Sequence, residues 1–497
     1  MALRSHGRMA APIAHDSDAP TVDSSTPIPS STAGLGIGGI PLLAAGVTGN
    51  LVFGASTLAL PALGTELSLA PAVSTMVVAL FSAGFAASLV LGGRLGDAWG
   101  RRRVLRLALT AMVPASLLIA VAPGVGILLV ARVVQGIACG LALPQVLSTI
   151  QHWTRGRPRA RWTGAYAAVV GGGTALGQIG AGVLVTADPF GLGARLSLAG
   201  VALLALIVLA TSRTIPESRT RVVGVTDPLG ALLLAAAIIT MVLPLGLSSM
   251  AGPGLVVIML AFSAVLFLAF VLWQRQRTPQ RALVPLPALR VRPLQVGLAQ
   301  TLLFFAGYGG FTYYFSTTLQ AGLDLGALPT SGLMMPFAGG FVLSSALLPL
   351  LPERMTPRRT MAVGALVQVL LLGVIAVVID AGAQEPPLVM LCLLLTMLGI
   401  AQAAMYGPLI GSVMSSLDAG LSGVASGLFS TLQQVGVALG VPLFGLVLGV
   451  LPAAPGHAFA LCVGVQVLFS AGFAALIVRR RGEKVPPAGL EPALRRF

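Results

Sequence analysis

The chain is 497 residues long, 56% hydrophobic and only 9% charged, with a mean hydropathy of +0.94 and a formal net charge of +15. That composition excludes a water-soluble globule and a disordered scaffold, and it makes an all-α polytopic membrane protein the starting expectation. Roughly 280 apolar residues, at about 20 per crossing, suffice for about 14 spans.

Residues 1–34 are rich in Ser, Pro, Ala and Asp and lack the apolar core of a signal peptide, so they read as an uncleaved cytoplasmic tail. The first span runs from Gly36 to Leu63, between the charges Asp23 and Glu66. Further charge-poor windows fall near 72–93, 104–121, 126–150, 162–185, 196–212, 228–249 and 254–274. A Ser/Gly/Pro break, Ser248 to Gly254, separates the last two. Six more follow near 293–318, 329–351, 360–380, 387–411, 422–449 and 456–478, making fourteen. This divides the chain into a tail (1–34), a six-helix bundle (35–215), two extra helices with linkers (216–292), a second bundle (293–480) and a closing tail (481–497).

Basic residues orient the spans, because they accumulate on the cytoplasmic side of a membrane. With loops and tails tallied alternately, 28 of the 30 Lys and Arg fall in one set and only Arg195 in the other; the remaining one, Arg132, lies inside span four. Both ends are therefore expected in the cytoplasm. The excess of Arg over Lys, with abundant Ala and Leu, suggests a high-GC bacterium and its inner membrane. Cys139, Cys392 and Cys462 lie in apolar runs without metal-binding spacing, so neither a disulfide framework nor a zinc site is expected, and no cofactor is implied.

Two patterns recur. LGDAWGRRR after span two sets Asp97 five residues before Arg102 and six before Arg103; LPERMTPRR after span ten does the same with Glu353, Arg358 and Arg359. Gly164, Gly173 and Gly177 of span five recur in spacing as Gly427, Gly436 and Gly440 of span thirteen. The offsets, 256 and 263, differ by less than one loop, which argues for duplicated six-span halves with spans seven and eight inserted between them. Simple helix packing accounts for each glycine taken singly.

The run from Gly92 to Arg106 can hold a carboxylate against arginines, forming a latch that breaks when the halves rock, or can be a solvated basic loop. It resembles the G-x-L-a-D-r-x-G-r-R/K-x-x-L signature of the major facilitator superfamily, with Gly93, Leu95, Asp97, Gly100, Arg101 and Arg102 in matching places; Glu353 and Arg358 are its counterparts. An arginine at membrane depth is costly and normally serves a cavity or a partner. Arg132, Gln135 and Gly136 are also similar to that family's R-x-x-Q-G motif, which the resemblance associates with substrate binding or proton transfer.

Span five resembles the antiporter motif G-x8-G-x3-G-P-x-x-G-G, with Gln178 at the proline and Ala181 at a glycine. Ala59-Leu60-Pro61 and the stretch from Gly423 to Gly440 complete a resemblance to the fourteen-span drug:proton antiporter branch. The resemblance implies the major facilitator fold, alternating access and proton-coupled efflux of small amphiphilic compounds. It also places an aspartate where this chain has Val52. No acid sits deep in a span; Asp97, Asp188, Asp324 and Asp380 lie nearest, so proton coupling falls to one of these or, indirectly, to Arg132 and the substrate.

The expected substrate pathway lies between the halves and is lined by Asn50, Arg132, Gln135, Gln178, Tyr308, Tyr313, Tyr406, Gln433 and Gln434, with Phe304, Phe305 and Phe311 supplying aromatic surface. Helix packing explains any one of them as readily as ligand contact. Lacking a fixed carboxylate, the pathway favours neutral or anionic amphiphiles over cations. The expected partners are membrane lipid, a small-molecule substrate and protons, with no nucleic acid and no obligatory protein. An uncoupled facilitator is the alternative within the fold. A membrane enzyme or sensor is disfavoured, because the four histidines form no acid/base or metal constellation and no loop is long enough for a soluble domain.

Overall fold

The computed structural model describes residues 35–218, 227–247, 252–278, 282–284, 286, 288–348, 356–381, 387–416, 422–450 and 455–479. Both tails and Glu353 lie outside the described residues. The described part is all helical: α1 (Gly39–Glu66), α2 (Pro71–Trp99), α3 (Arg101–Val121), α4 (Val125–Trp153), α5 (Gly156–Ala187), α6 (Gly193–Ala199), α7 (Val201–Thr211), α8 (Pro228–Leu247), α9 (Pro253–Arg275), α10 (Arg292–Thr317), α11 (Ala327–Leu347), α12 (Pro357–Ala381), α13 (Leu388–Met414), α14 (Ser422–Val450) and α15 (Pro455–Arg479). α6 and α7 are two parts of one rod, parted at Gly200. Eleven rods are long and apolar enough to cross a membrane. α5, α8 and α10 are the remaining long helices.

The helices extend beyond the charge-free windows. Arg94 and Asp97 belong to the last turns of α2, and Arg101, Arg102, Arg103 and Arg106 to α3, so only Gly100 breaks the path between them. Long basic side chains let a helix run past the apolar layer while their charged heads stay in water. Gly100 turns the chain at φ +101°, a conformation that glycine adopts without a steric penalty.

The two halves repeat down to single contacts. A side chain at Gly177 would meet the Leu51 carbonyl at 2.0 Å, and one at Gly440 the Ala306 carbonyl at 2.2 Å. Gly173 against Val47 and Gly436 against Leu302 repeat the pairing one turn away, so α5 crosses α1 as α14 crosses α10. Likewise Gly136 lies against Phe81 and Gly399 against Phe337, and the Ser88 hydroxyl donates to Ile137 (3.0 Å) as Ser344 donates to Ile400 (3.2 Å). At the glycine crossings the missing side chains let backbones approach, which is how helices associate where no hydrophobic effect drives them together.

Between the halves, α2 packs against α14 and α5 against α11. α8 packs on α9 and flanks this seam, touching both α2 and α14. The α2–α3 corner meets the end of α7, and the start of α12 meets the end of α15, so arginine-bearing helix ends gather at one face, called the basic face below.

Candidate functional site: an aromatic seam between two helical repeats

At mid-depth the seam is filled by rings. Phe53 of α1 meets Tyr308 of α10 across it, with centroids 6.3 Å apart. The Thr174 side chain of α5 lies close to Tyr308. On the second half, Phe305 lies edge-on to Tyr308 (6.2 Å) and to Tyr406 of α13 (5.8 Å), and Phe304 stacks on Tyr406 at 5.9 Å. Phe337 and Phe341 of α11 and Phe429 of α14 complete the cluster. Of the expected pathway residues, this brings together Phe304, Phe305, Tyr308 and Tyr406, with Phe311 joined through Phe337 at 5.7 Å.

Toward the face opposite the basic one, the seam is sealed. Gln320, in a π-helical turn (Thr318–Gly322) that ends α10, donates its side-chain amide to the Leu58 carbonyl of α1 at 3.1 Å. A side chain at Gly182 of α5 would meet the Ser331 hydroxyl of α11 at 2.3 Å, and one at Gly445 of α14 would meet the Thr75 methyl of α2 at 2.5 Å. Tyr313 is buried beside Gly445 at this end.

Arg132 and Gln135 sit elsewhere, inside the first half. The Arg132 guanidinium donates to the Val77 carbonyl (2.8 Å), the Ser56 hydroxyl (2.6 Å) and Gln135 Oε1 (2.5 Å). Gln135 in turn donates to Ser116 of α3 (2.8 Å) and to the Leu198 carbonyl of α6 (3.2 Å). This buried network ties α1, α2, α3, α4 and α6 together, and no carboxylate takes part. The matching places in the second half hold Phe311, Leu333, Phe337, Leu395, Leu398 and Leu372, all buried. The second half keeps a different polar link, from the Tyr314 hydroxyl to Gln466 at 2.6 Å.

Gln178 is 2% exposed on α5, and its Nε2 has no partner among the described residues. Gln434 is buried and Gln433 half-buried on α14, while Asn50 is half-buried on α1 beside Gly173. Gly164 lies within α5, and a side chain at Gly427 would meet nothing within 4 Å.

The expected latch is a clamp within the first half. Arg101 pairs with Asp97 one turn back at 3.0 Å and donates to the Ser148 carbonyl and the Ser218 hydroxyl. The Arg102 amide donates to Glu217, and its guanidinium donates to the Ile215 carbonyl at 3.2 Å. These partners follow α7, so the α2–α3 corner is fastened to its own bundle. Arg358 repeats the arrangement by donating to the Ile477 and Val478 carbonyls that end α15, where a cation also suits the helix dipole. Gly93 lies near Pro144.

The sequence reading missed a further cluster on the basic face. Asp227, 4% exposed, precedes α8 and accepts from the Gly230 amide (2.9 Å), Trp273 Nε1 (2.8 Å) and Gln274 Nε2 (2.8 Å). Burial alone would raise its carboxyl, but these hydrogen bonds and the Arg277 charge outweigh it and hold the group below the usual carboxylate range. Arg94 of α2 joins this cluster through the Ala282 carbonyl.

All seven described acids lie at or beyond helix ends: Glu66, Asp97, Asp188, Glu217, Asp227, Asp324 and Asp380. None of these described acids lies in the ring cluster.

Two repeated helical bundles packed around a seam closed at one face define the class of membrane transporters of small molecules. The chain belongs to the Major Facilitator Superfamily, whose profile matches residues 42–441. It is 30% identical over 395 residues to a probable actinorhodin transporter of Streptomyces coelicolor, covering 78% of this chain and 68% of that one. It is also 30% identical over 402 residues to the puromycin resistance protein pur8 of Streptomyces alboniger (78% and 77%), and 26% identical over 391 residues to the multidrug efflux pump LfrA of Mycolicibacterium smegmatis (78% and 76%). A crystal structure of a peptide transporter, POT, in complex with sulfate shares the fold with a TM-score of 0.66 at 16% identity, covering 89% of this chain and 94% of that one.

Proposed function

We infer that this chain exports small amphiphilic compounds from a bacterial cell by alternating access, coupled to protons. The bundles at 35–215 and 293–480 rock about the aromatic seam, and the inserted pair within 216–292 flanks it. Fourteen spans with both termini in the cytoplasm fit the arginine distribution and make the sealed face the outer one. The observation that carries this reading is the ring cluster that joins Phe53 to Tyr308 at the meeting of the two repeats, where transporters built from repeats hold their cargo. Asn50, Gln178, Tyr308, Tyr313, Tyr406, Gln433 and Gln434 line or border that route. Arg132 and Gln135 act on it through the packing of the first bundle.

The test is expression in a bacterial strain stripped of its own exporters. The strain is challenged with the compounds that name the relatives, actinorhodin, puromycin, methylenomycin and tetracenomycin, with and without a protonophore. Resistance that a protonophore abolishes supports the reading. Resistance that survives the protonophore supports coupling to a different gradient; the second reading, an uncoupled facilitator, which the absence of a described acid within the ring cluster favours, gives no resistance but transport in proteoliposomes that is unchanged when the pH gradient is dissipated. No change in resistance to any compound would count against export.

A further inference from the structure

We propose that Gln178 selects the cargo, admitting uncharged planar aromatic compounds that carry a carbonyl or similar hydrogen-bond acceptor; this rests on the export function above. Thr174, Gln178 and Gly182 are four residues apart on α5, so they lie one above another on a single face. Both neighbours on that face approach the second half: Gly182 comes up against Ser331, and Thr174 lies close to Tyr308. The other faces are committed elsewhere. Gly177 and Ala181 pack on α1, and Leu176 and Gly180 point outward. Gln178 thus faces the seam, one turn from the ring cluster and one turn from the outer seal.

Its burial makes this position consequential. A buried amide hydrogen without an acceptor destabilises the state that contains it, and a ligand supplying an acceptor removes the penalty, so binding of such a ligand is favoured differentially. Gln402 of α13, 2% exposed and on the same helix face as Tyr406, leaves its Oε1 without a partner among the described residues, where a hydroxyl on the same compound would add a donor. Between these amides the rings of Phe305, Tyr308 and Tyr406 offer broad flat surface. No described carboxylate stands in the cluster to balance the charge of a cation. An anion finds the Arg132 guanidinium already taken up by Ser56, Val77 and Gln135. Neutral flat molecules with a polar edge are what remains.

Fluorene and 9-fluorenone test this directly, since the two differ only in a carbonyl. Binding of each to the purified full chain is measured by equilibrium dialysis, with ethidium as the cationic comparison. Gln178→Leu is expected to collapse an approximately tenfold preference for fluorenone over fluorene to near unity. Gln178→Glu is expected to shift preference toward ethidium. If Gln178→Leu does not fold, Gln178→Met, unbranched and without a donor, replaces it. A fluorenone preference that survives in the donor-free variant, or a wild-type chain with no such preference, overturns the proposal. Vesicles that bind fluorenone selectively yet show no energised efflux would overturn the export reading instead, leaving this one standing.

Discussion

The Arg132 guanidinium lies 4.5 Å from the centroid of the Phe81 ring, and its hydrogen-bond partners are a carbonyl, a hydroxyl and an amide. A cation held this way is an organising group: removing it leaves several buried acceptors unpaired, whereas removing the network together leaves an apolar site of the kind the second half already has.

Arg132→Leu is therefore expected to destabilise the protein by about 3 kcal/mol or more, as truncation of one buried polar partner generally does. Arg132→Leu combined with Gln135→Leu, which copies Leu395 and Leu398, is expected to be less destabilised than the single variant. Thermal unfolding of both in detergent checks this, and a double variant no better than the single one would refute it.

The sealed face supplies a second prediction. A β-carbon placed on Gly182 would lie 2.9 Å from the Ser331 β-carbon, closer than the roughly 3.5–4.5 Å of a disulfide, so the two helices must part slightly to take one. In a background lacking the native cysteines, a Gly182→Cys/Ser331→Cys pair should cross-link on oxidation and stop transport, and reduction should restore it. Unimpaired turnover by the cross-linked protein would show that the seal does not open during the cycle.

A third concerns the repeated crossings. Gly177→Leu and Gly440→Leu, which drive side chains into the Leu51 and Ala306 carbonyls, should abolish monodisperse expression. Gly180→Leu and Gly427→Leu, with open space around them, should express normally. Fluorescence-detected gel filtration distinguishes the two pairs.

The Asp227 cluster gives a pH dependence. Its folded pKa is depressed, so the carboxylate stabilises the fold fully above the unfolded value of about 3.9, and that contribution is lost as the pH falls through the folded value. Asp227→Asn should lower the unfolding temperature at neutral pH, at a cost of roughly 1–3 kcal/mol, and the gap to wild type should close on acidification below about pH 4. A gap independent of pH would mean that shape, and not charge, matters there.

The fold was largely legible because apolar windows and alternating arginines are long-range, redundant signals, and the duplicated offsets carried over into matched contacts such as Gly177 on Leu51 and Gly440 on Ala306. The helix ends were not: Arg94 and Asp97 were read as a loop, yet they close α2, because charge marks where the apolar layer ends and not where hydrogen bonding does. The seam was half legible. Tyr308 and Tyr406 stood out by their hydroxyls, while Phe53 and Phe337 look, within an apolar helix, like any lipid-facing side chain. Arg132 was recognised as unusual, but the sequence did not reveal that its partners Ser56 and Val77 come from two neighbouring helices. Asp227 was passed over because Trp273 and Gln274 lie 46 and 47 residues away.

Phe311 standing where the other copy keeps Ser56 has an evolutionary consequence. The copies differ in what they hold: one carries an internal scaffold of charge and amide, and the other most of the aromatic side chains. Drift in the second copy can remodel what is carried without loosening the first, so lineages descending from such a gene can change cargo by point substitution while their architecture stays fixed.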